Sequence, residues 1–503
     1  MVNLLSTAQR LLACVAIFGL AFGLAPMAVA GPANAAAESA ASARPANGSG
    51  AEADPTDYGS DSAEEFVSAY TSRHGLPGAS YAVVKDGELV AAEGVGDVST
   101  DTPMAIGSVS KSFTSFAVLQ LVDSGDVDLD SPVTDYLSDF SIRGADASAI
   151  TVRMLLSHTS GIPNPTFVRA TGSLEDSVAD IADLEVASVP GSTYAYSNFN
   201  YRTLARLVEV VDGQDFNTYL DENIFTPLGM DDTDAVTTAG DRSGLDAGHV
   251  TAYGLALQLP EFATDIGGSG GVISTAEDMA TWVGVQQRGG TSADGKRLLS
   301  KDLVAETHTP QPNADTYGMG WQHTSTADPE RVGHGGSLMR YSARADLVPS
   351  SGYATVVLLD SFTSIHQHQF DISTGLINIS EGKDPDLGFP LATVIDLVLG
   401  AMTIIVAALG VRGLRRSSRW AEKRADHPWW RRALRLLPQA IMPIAALGVF
   451  VGLTLGQGNP ATPLDIFGVW PALMILIAAA GIVGLLLIVS RLRAFGFSSP
   501  PVQ

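Results

Sequence analysis

The chain has 503 residues and a formal net charge of −24, yet its mean hydropathy is +0.17 with 17% of residues charged. That length allows two or three domains, and so positive a hydropathy at this charge content requires apolar sequence to be gathered in particular segments. Residues 31–390 carry 18 Lys and Arg against 50 Asp and Glu, whereas residues 391–503 carry 11 against 4. The acidity of the main segment argues against nucleic acid or anionic surfaces as its partners and reads as a solvated surface.

Leu11 to Ala30 form an apolar run behind Arg10 that closes on Ala28-Val29-Ala30, with Ala33-Asn34-Ala35 as a second small-residue site. This predicts a secretory signal peptide over 1–30, with an uncleaved anchor helix as the alternative. Cys14, the one cysteine, stands too close to Arg10 for a lipidation signal. Removal of the signal then excludes disulfides, thiolate chemistry and cysteine-ligated metals. Residues 31–62, rich in Ala, Ser, Gly and Pro with no apolar period, are predicted to be a flexible tether, with folded sequence from Ala63.

Ser80 to Val90 alternates apolar residues around Asp86-Gly87, a hairpin signal, and Ala91 to Val98 extends the second strand. Next comes a helical period in Phe113, Phe116, Ala117, Leu119, Leu121 and Val122, ending near Gly125. Leu204, Val208 and Val211 mark a second helix that closes at Gly213. Ser342 to Val348 and Tyr353 to Leu359 flank Pro349-Ser350-Ser351-Gly352, a strand-turn-strand. Sheet at both ends with helices between predicts a mixed α/β domain over 63–382.

Three apolar spans follow, 391–411, 436–455 and 467–489, each near the roughly 20 residues that cross a bilayer. The segment 412–435 between the first two holds nine Lys or Arg, and Arg491 and Arg493 follow the third. The positive-inside rule places that basic loop and the tail 490–503 in the cytoplasm and the α/β domain outside the cell. The chain is thus predicted to be a multi-pass cell-membrane protein. Three spans with a basic loop point to a membrane partner or to anionic lipid, and Trp429-Trp430 beside Arg431-Arg432 reads as an interfacial anchor.

The chemistry begins at Ser108-Val109-Ser110-Lys111, where a hydroxyl and an amine lie one helical turn apart, so that Lys111 can take the Ser108 proton. A serine at a helix N-terminus also has backbone amides near it for a developing oxyanion. The pattern alone is weak, for Ser380-Glu381-Gly382-Lys383 repeats it in a short polar stretch. Two further elements strengthen it, Tyr196-Ser197-Asn198 and His334-Gly335-Gly336-Ser337. A tyrosine held near a lysine can relay protons, an asparagine can donate its amide to a substrate carbonyl, and small residues after His334 let substrate lie along a strand. His158 reads as a structural hydrogen-bonder, and His366 and His368 lack a carboxylate pair that would make them metal ligands.

In this order the three elements resemble the serine β-lactamase and penicillin-binding protein superfamily, in particular its class C β-lactamase-like group, which includes D-aminopeptidases, D,D-carboxypeptidases and esterases. The resemblance runs from about Ala63 to Asn378 and includes Leu155-Leu156-Ser157-His158-Thr159-Ser160-Gly161, Pro227-Leu228-Gly229-Met230 and Gly270-Gly271-Val272-Ile273-Ser274. It implies an antiparallel sheet flanked by helices plus a helical domain. It further implies Ser108 as the acylated nucleophile, Lys111 as its base, Tyr196 as proton relay and Asn198 as a substrate-orienting amide. His334, Gly336 and Ser337 would line the substrate, with the N–H groups of Ser108 and Ser337 as the oxyanion hole. The departure lies at His334, where true β-lactamases carry Lys-Thr-Gly, so that a partly charged imidazole stands in for a fixed cation. The function expected is a membrane-anchored, extracytoplasmic serine hydrolase of small amides, peptides or esters, D-amino-acid cell-wall peptides among them, with no cofactor. The alternatives are a penicillin-sensing receptor that turns over slowly, and an inactive scaffold. Against the receptor, the basic loop and the tail are too short for a folded signalling domain.

Overall fold

The computed structural model describes residues 59–165, 170–239, 245, 247–455 and 462–496. The predicted signal peptide, the tether before residue 59 and the tail beyond 496 lie outside the described residues. The chain divides into two compact units, one reaching Val394 and including Gly468–Trp470, the other made of Ile395–Phe467 and the segment from Pro471.

In the first unit, helix α1 (Ser60–His74) starts three residues before the predicted boundary at Ala63. Asp61 in its first turn and Arg73 and His74 in its last suit the helix dipole, and Gly75 ends it at φ 68°. Strands β1 (Gly78–Lys85) and β2 (Glu88–Gly96) form the predicted hairpin. Asp86 and Gly87 both have positive φ, 50° and 89°, which the tight turn between twisted strands requires.

The other strands come from the far end of the unit: β3 (Gln322–Thr324), β4 (Arg331–Ser337), β5 (Ser342–Val348) and β6 (Tyr353–Leu359). The sheet order is β2-β1-β6-β5-β4-β3, and each neighbouring pair is antiparallel. Strand alternation sorts the side chains to two faces. Tyr81, Val83, Val357 and Leu359 pack against Phe66, Val67 and Tyr70 of α1 and against Ile372 and Leu376 of α5 (His368–Ser380). Ala82, Val84, Val356 and Leu358 point the other way, into the larger core.

That larger core also takes in α2 (Ser110–Ser124), α3 (Asn198–Asp212) and α4 (Ala276–Gln287). The helical part therefore shares the hydrophobic core of the sheet. The helix predicted at Ser108 comes in two pieces, a 3₁₀ turn over Gly107–Val109 and then α2. Gly125 and Gly213 end α2 and α3 at φ 88° and 86°, where the sequence places those stops. Helix α2 is buried without a break from Ser110 to Leu119, which makes it the central helix of the unit. Trp282 of α4 supports it: its ring stacks on Phe113 at 3.9 Å, meets Phe116 edge-on at 5.2 Å, and its Nε1 donates to Ser112 Oγ at 3.0 Å.

The second unit contains α7 (Trp429–Leu455), α8 (Pro471–Gly496) and most of α6 (Leu391–Arg415). Among the described residues two helices, α6 and α8, are long and apolar enough to cross a membrane, which corrects the three predicted spans. The middle span, 436–455, falls in α7, which opens with Arg431, Arg432 and Arg435 and runs through Pro438, Gln439 and Pro443. Those residues dilute its apolar character and interrupt its backbone hydrogen bonds. The predicted basic loop 412–435 is partly helical, since it includes the end of α6 and a short helix, Ser417–Glu422.

Trp282→Ala should cost about 3–5 kcal/mol, the usual loss for truncating a fully buried tryptophan, because it removes the support under α2. Urea denaturation followed by circular dichroism would measure it.

Candidate active site

Ser108 sits in the 3₁₀ turn, and two contacts pin that turn from below. Ile106 N–H donates to Val272 O at 3.1 Å, and Val272 N–H donates to Ser110 Oγ at 3.0 Å. The end of β4 packs on it from the side. A Cβ on Gly336 would stand 1.8 Å from Ile106 O and 3.0 Å from Ser108 N, and one on Gly107, at φ 52°, would stand 2.7 Å from Ser337 N. Only glycine allows this approach of two backbones. It brings together the two segments that carry the Ser108 and Ser337 N–H groups.

Lys111 is fully buried, one turn beyond Ser108. Its Nζ lies 3.0 Å from Ser108 Oγ, donates to Asn198 Oδ1 at 2.9 Å and donates to Ser269 O at 2.6 Å. The last two partners are carbonyl oxygens and can only accept, so two N–H bonds are committed to them. What faces Ser108 is then either a third N–H or the lone pair of a neutral amine. Burial, followed by the positive charge of Arg202, pushes the amine well below the ordinary lysine value of 10.5. The neutral form presents its lone pair to Ser108 and can receive the hydroxyl proton.

Tyr196 donates to Ser108 Oγ from the other side, at 2.8 Å. Burial raises its phenol above the usual value, so it stays protonated, although the contact with Ser108 acts the other way. Its ring lies 4.9 Å from Lys111 Nζ, a cation–π distance. Asn198 begins α3, and its backbone N–H donates to Asn164 Oδ1 at 3.1 Å. Ser108, Lys111, Tyr196 and Asn198 thus form one connected cluster from two segments almost ninety residues apart.

His334 lies in β4 and is buried, with 1% exposure. Its Nδ1 bonds Gly335 O at 2.7 Å and its Nε2 bonds the Tyr317 hydroxyl at 3.0 Å. A carbonyl only accepts, so Nδ1 carries the hydrogen and Nε2 accepts from the tyrosine, which is one neutral tautomer. Burial, with Lys111 nearby, pushes its pKa down to about 3. The partial charge expected from the sequence is therefore absent, since an imidazole in this setting takes up no second proton at neutral pH. Gly336 and Ser337 lie along the strand beyond it, and Gln369 Nε2 reaches Ser337 Oγ at 3.5 Å.

Four residues that the sequence did not mark for the site complete it. Ser269 offers Lys111 its carbonyl from a glycine-rich turn, Gly267-Gly268-Ser269-Gly270-Gly271, whose composition was the available signal. Arg202 lies on α3 one turn after Asn198 and is buried. Tyr317 holds His334, and Tyr201 lies 5.5 Å from Lys111 Nζ. Nothing local in the sequence separates these two tyrosines from ordinary core aromatics. Among the described residues no group of three or more His, Cys, Asp or Glu is placed to hold a metal ion.

A six-stranded antiparallel sheet with helices on both faces, and a serine flanked by a lysine and a tyrosine, defines the active-serine hydrolase class of fold. A family model described as Beta-lactamase matches residues 63–374, and the chain belongs to that family. Penicillin-binding protein 4 of Amycolatopsis lactamdurans is 31% identical over 322 residues, 59% of this chain and 84% of that one. The protein flp of Staphylococcus aureus is 28% identical over 56% of this chain, but the match spans only 59% of its own length. Among solved structures, a D-stereospecific amidohydrolase from Streptomyces sp. is similar at 25% identity with a TM-score of 0.50, covering 60% of this chain and 94% of that one. An octameric penicillin-binding protein homologue from Pyrococcus abyssi shares the fold at TM-score 0.56 and 24% identity, covering 64% of this chain and 77% of that one.

The lowered pKa of Lys111 fixes the sign of a pH effect. Since Lys111 can take the Ser108 proton only as the neutral amine, kcat/KM should fall as pH drops through a value well below 10.5, with no added limb near 6.5 from His334. Lys111→Arg keeps the charge at every pH and should lose about 10²–10⁴-fold in kcat. A pH–rate profile of both proteins on one substrate checks this.

Proposed function

We propose that the chain is a membrane-anchored serine hydrolase whose catalytic domain lies outside the cell, and that it cleaves small amides, peptides or esters through an acyl-enzyme on Ser108. The carrying observation is the buried Lys111, whose Nζ lies 3.0 Å from Ser108 Oγ while two carbonyls hold two of its N–H groups. In acylation, Oγ attacks the substrate carbonyl carbon and its proton passes to Lys111 Nζ. The resulting oxyanion accepts hydrogen bonds from the Ser108 and Ser337 N–H groups. Tyr196, kept protonated by burial, gives its proton to the leaving nitrogen or oxygen, and the Lys111 ammonium replaces it. Water then attacks the acyl carbon and gives its proton to Lys111, which passes it to Oγ as the C–Oγ bond breaks, so that the acid product leaves and Ser108 and the neutral amine are restored. Asn198 commits Oδ1 to Lys111, so its NH₂ group is the part left to orient a substrate carbonyl.

The neutral, buried His334 supports substrates that are not held by a free carboxylate, such as amides and esters of D-amino acids, over β-lactams. The relatives named as a penicillin-binding protein and a D-stereospecific amidohydrolase are consistent with such acyl chemistry. The anchoring rests on the long apolar helix α6, and Arg412, Arg415, Arg416 and Arg419 at its far end support a cytoplasmic C-terminal side, leaving Ser108 outside.

The full chain in detergent should hydrolyse at least one of a D-amino-acid amide, a short p-nitrophenyl ester and a chromogenic β-lactam, with the amide or ester turned over fastest. Ser108→Ala should abolish that turnover, and retention of full activity by this variant would sink the proposal. A long-lived adduct with a fluorescent penicillin, in place of turnover, would move the assignment to a penicillin sensor.

A further inference from the structure

His158 takes no part in the steps above, and its conformation is costly. It is a non-glycine residue with φ 58°, fully buried, with no partner for Nε2 in the described structure. Left-handed backbone and an orphaned buried N–H both work against folding, and such features persist where the surroundings enforce them. The surroundings here are the chain on both sides of Tyr196. The His158 carbonyl accepts from Ala195 N–H at 2.8 Å. Its Nδ1 lies 3.1 Å from the Ser197 N–H and 3.0 Å from Asn200 Nδ2, both of them donors. Nδ1 therefore carries no hydrogen, and the one on the neutral ring sits on Nε2. Between those contacts its ring packs on Tyr196 at 4.3 Å between centroids, with Tyr317 at 4.8 Å and Tyr201 at 5.1 Å. Asn200 is fixed in turn by Ser160, whose hydroxyl donates to Asn200 Oδ1 at 2.6 Å.

We propose that His158 is a positioning residue that acts through Tyr196: by bonding residues 195, 197 and 200 and stacking on the ring between them, it holds the Tyr196 hydroxyl on Ser108 Oγ. The proposal rests on the hydrolase reading of Ser108 only for the choice of substrate. Burial, with Lys111 as the next contribution, pushes the imidazole well below its ordinary value. The acceptor at Nδ1 thus persists across the working pH range. The left-handed backbone explains why a small-side-chain substitute is restricted to asparagine, which tolerates that region and offers Oδ1 near the place of Nδ1.

The test compares His158→Phe, which keeps a ring and loses the acceptor, with His158→Asn, which keeps an acceptor and loses the ring. Two readouts are used on the full chain in detergent: kcat and KM with their pH profiles on the best substrate, and the rate at which a fluorophosphonate probe labels Ser108, which needs no turnover. His158→Phe should lower kcat and the labelling rate by about 10²-fold, the size expected when a catalytic group is misplaced by about 1 Å, with a smaller change in KM and a shifted pH profile. His158→Asn should recover most of that loss. Phe-variant protein with native circular dichroism, parental labelling and an unchanged pH profile would overturn the proposal. So would folded His158→Asn protein that has lost about 10²-fold in kcat and labelling rate relative to the parent, and this arm decides the matter if the phenylalanine variant does not fold. Absence of turnover in the parent, with Ser108 still labelled, would count against the hydrolase reading and leave the labelling comparison to judge His158.

Discussion

The site depends on a lysine amine taken out of water with no carboxylate among its described partners. Burial and the positive charge of Arg202 both disfavour the ammonium and push its pKa well below the ordinary lysine value. Asn198 and Ser269 hold two N–H groups of Nζ, so in the neutral form the direction left for the lone pair is the one toward Ser108. A lysine of ordinary pKa on an exposed helix would have the same spacing from its serine and would be charged. Burial, more than spacing, is what lowers the Lys111 pKa and so suits the pair to the proposed roles of base and nucleophile.

The sheet and the helical part have to share one core for that burial to occur. Helix α2 carries Lys111 and is enclosed by α3, α4 and one face of the sheet. The same sheet brings the end of β4 against the Ser108 turn, where Gly107 and Gly336 leave no room for a Cβ. The opposite face is covered by α1 and α5, which come from the two ends of the catalytic unit, so the hairpin at the start of the chain pairs with strands contributed almost three hundred residues later. Long-range pairing of this kind fixes the active site and the sheet together.

The aromatic lining beside Lys111 gives the site its second property. Tyr201, Tyr317 and His158 are buried and Tyr196 is half-buried, and desolvation raises each phenol, so the hydroxyls remain donors. His334, held neutral by one donor and one acceptor, adds no charge. A wall of neutral donors suits a substrate recognised by its carbonyl and leaving group. It suits less well one recognised by a carboxylate, for which a fixed cation would serve.

Local sequence settled much of this protein. Alternation about Asp86-Gly87 gave the hairpin, Gly125 and Gly213 gave two helix ends, and Ser342–Val348 and Tyr353–Leu359 gave two strands, because turn geometry and side-chain period act over a few residues. Ser108, Lys111, Tyr196 and Asn198 were legible through their motifs, and the apolar runs through composition. Tertiary structure decided the rest. It alone showed that Ser269 bonds Lys111 and that the charge of Arg202 acts on it, that His334 is neutral, and that His158 grips the Tyr196 segment, since each depends on segments far apart in the chain. The middle span, 436–455, was counted as a crossing because an apolar count does not weigh Pro438, Gln439 and Pro443 within it or the arginines that open the same helix. Spacing can nominate a nucleophile and its base, but the ionisation state that makes them work is a property of the environment, which only the folded chain supplies.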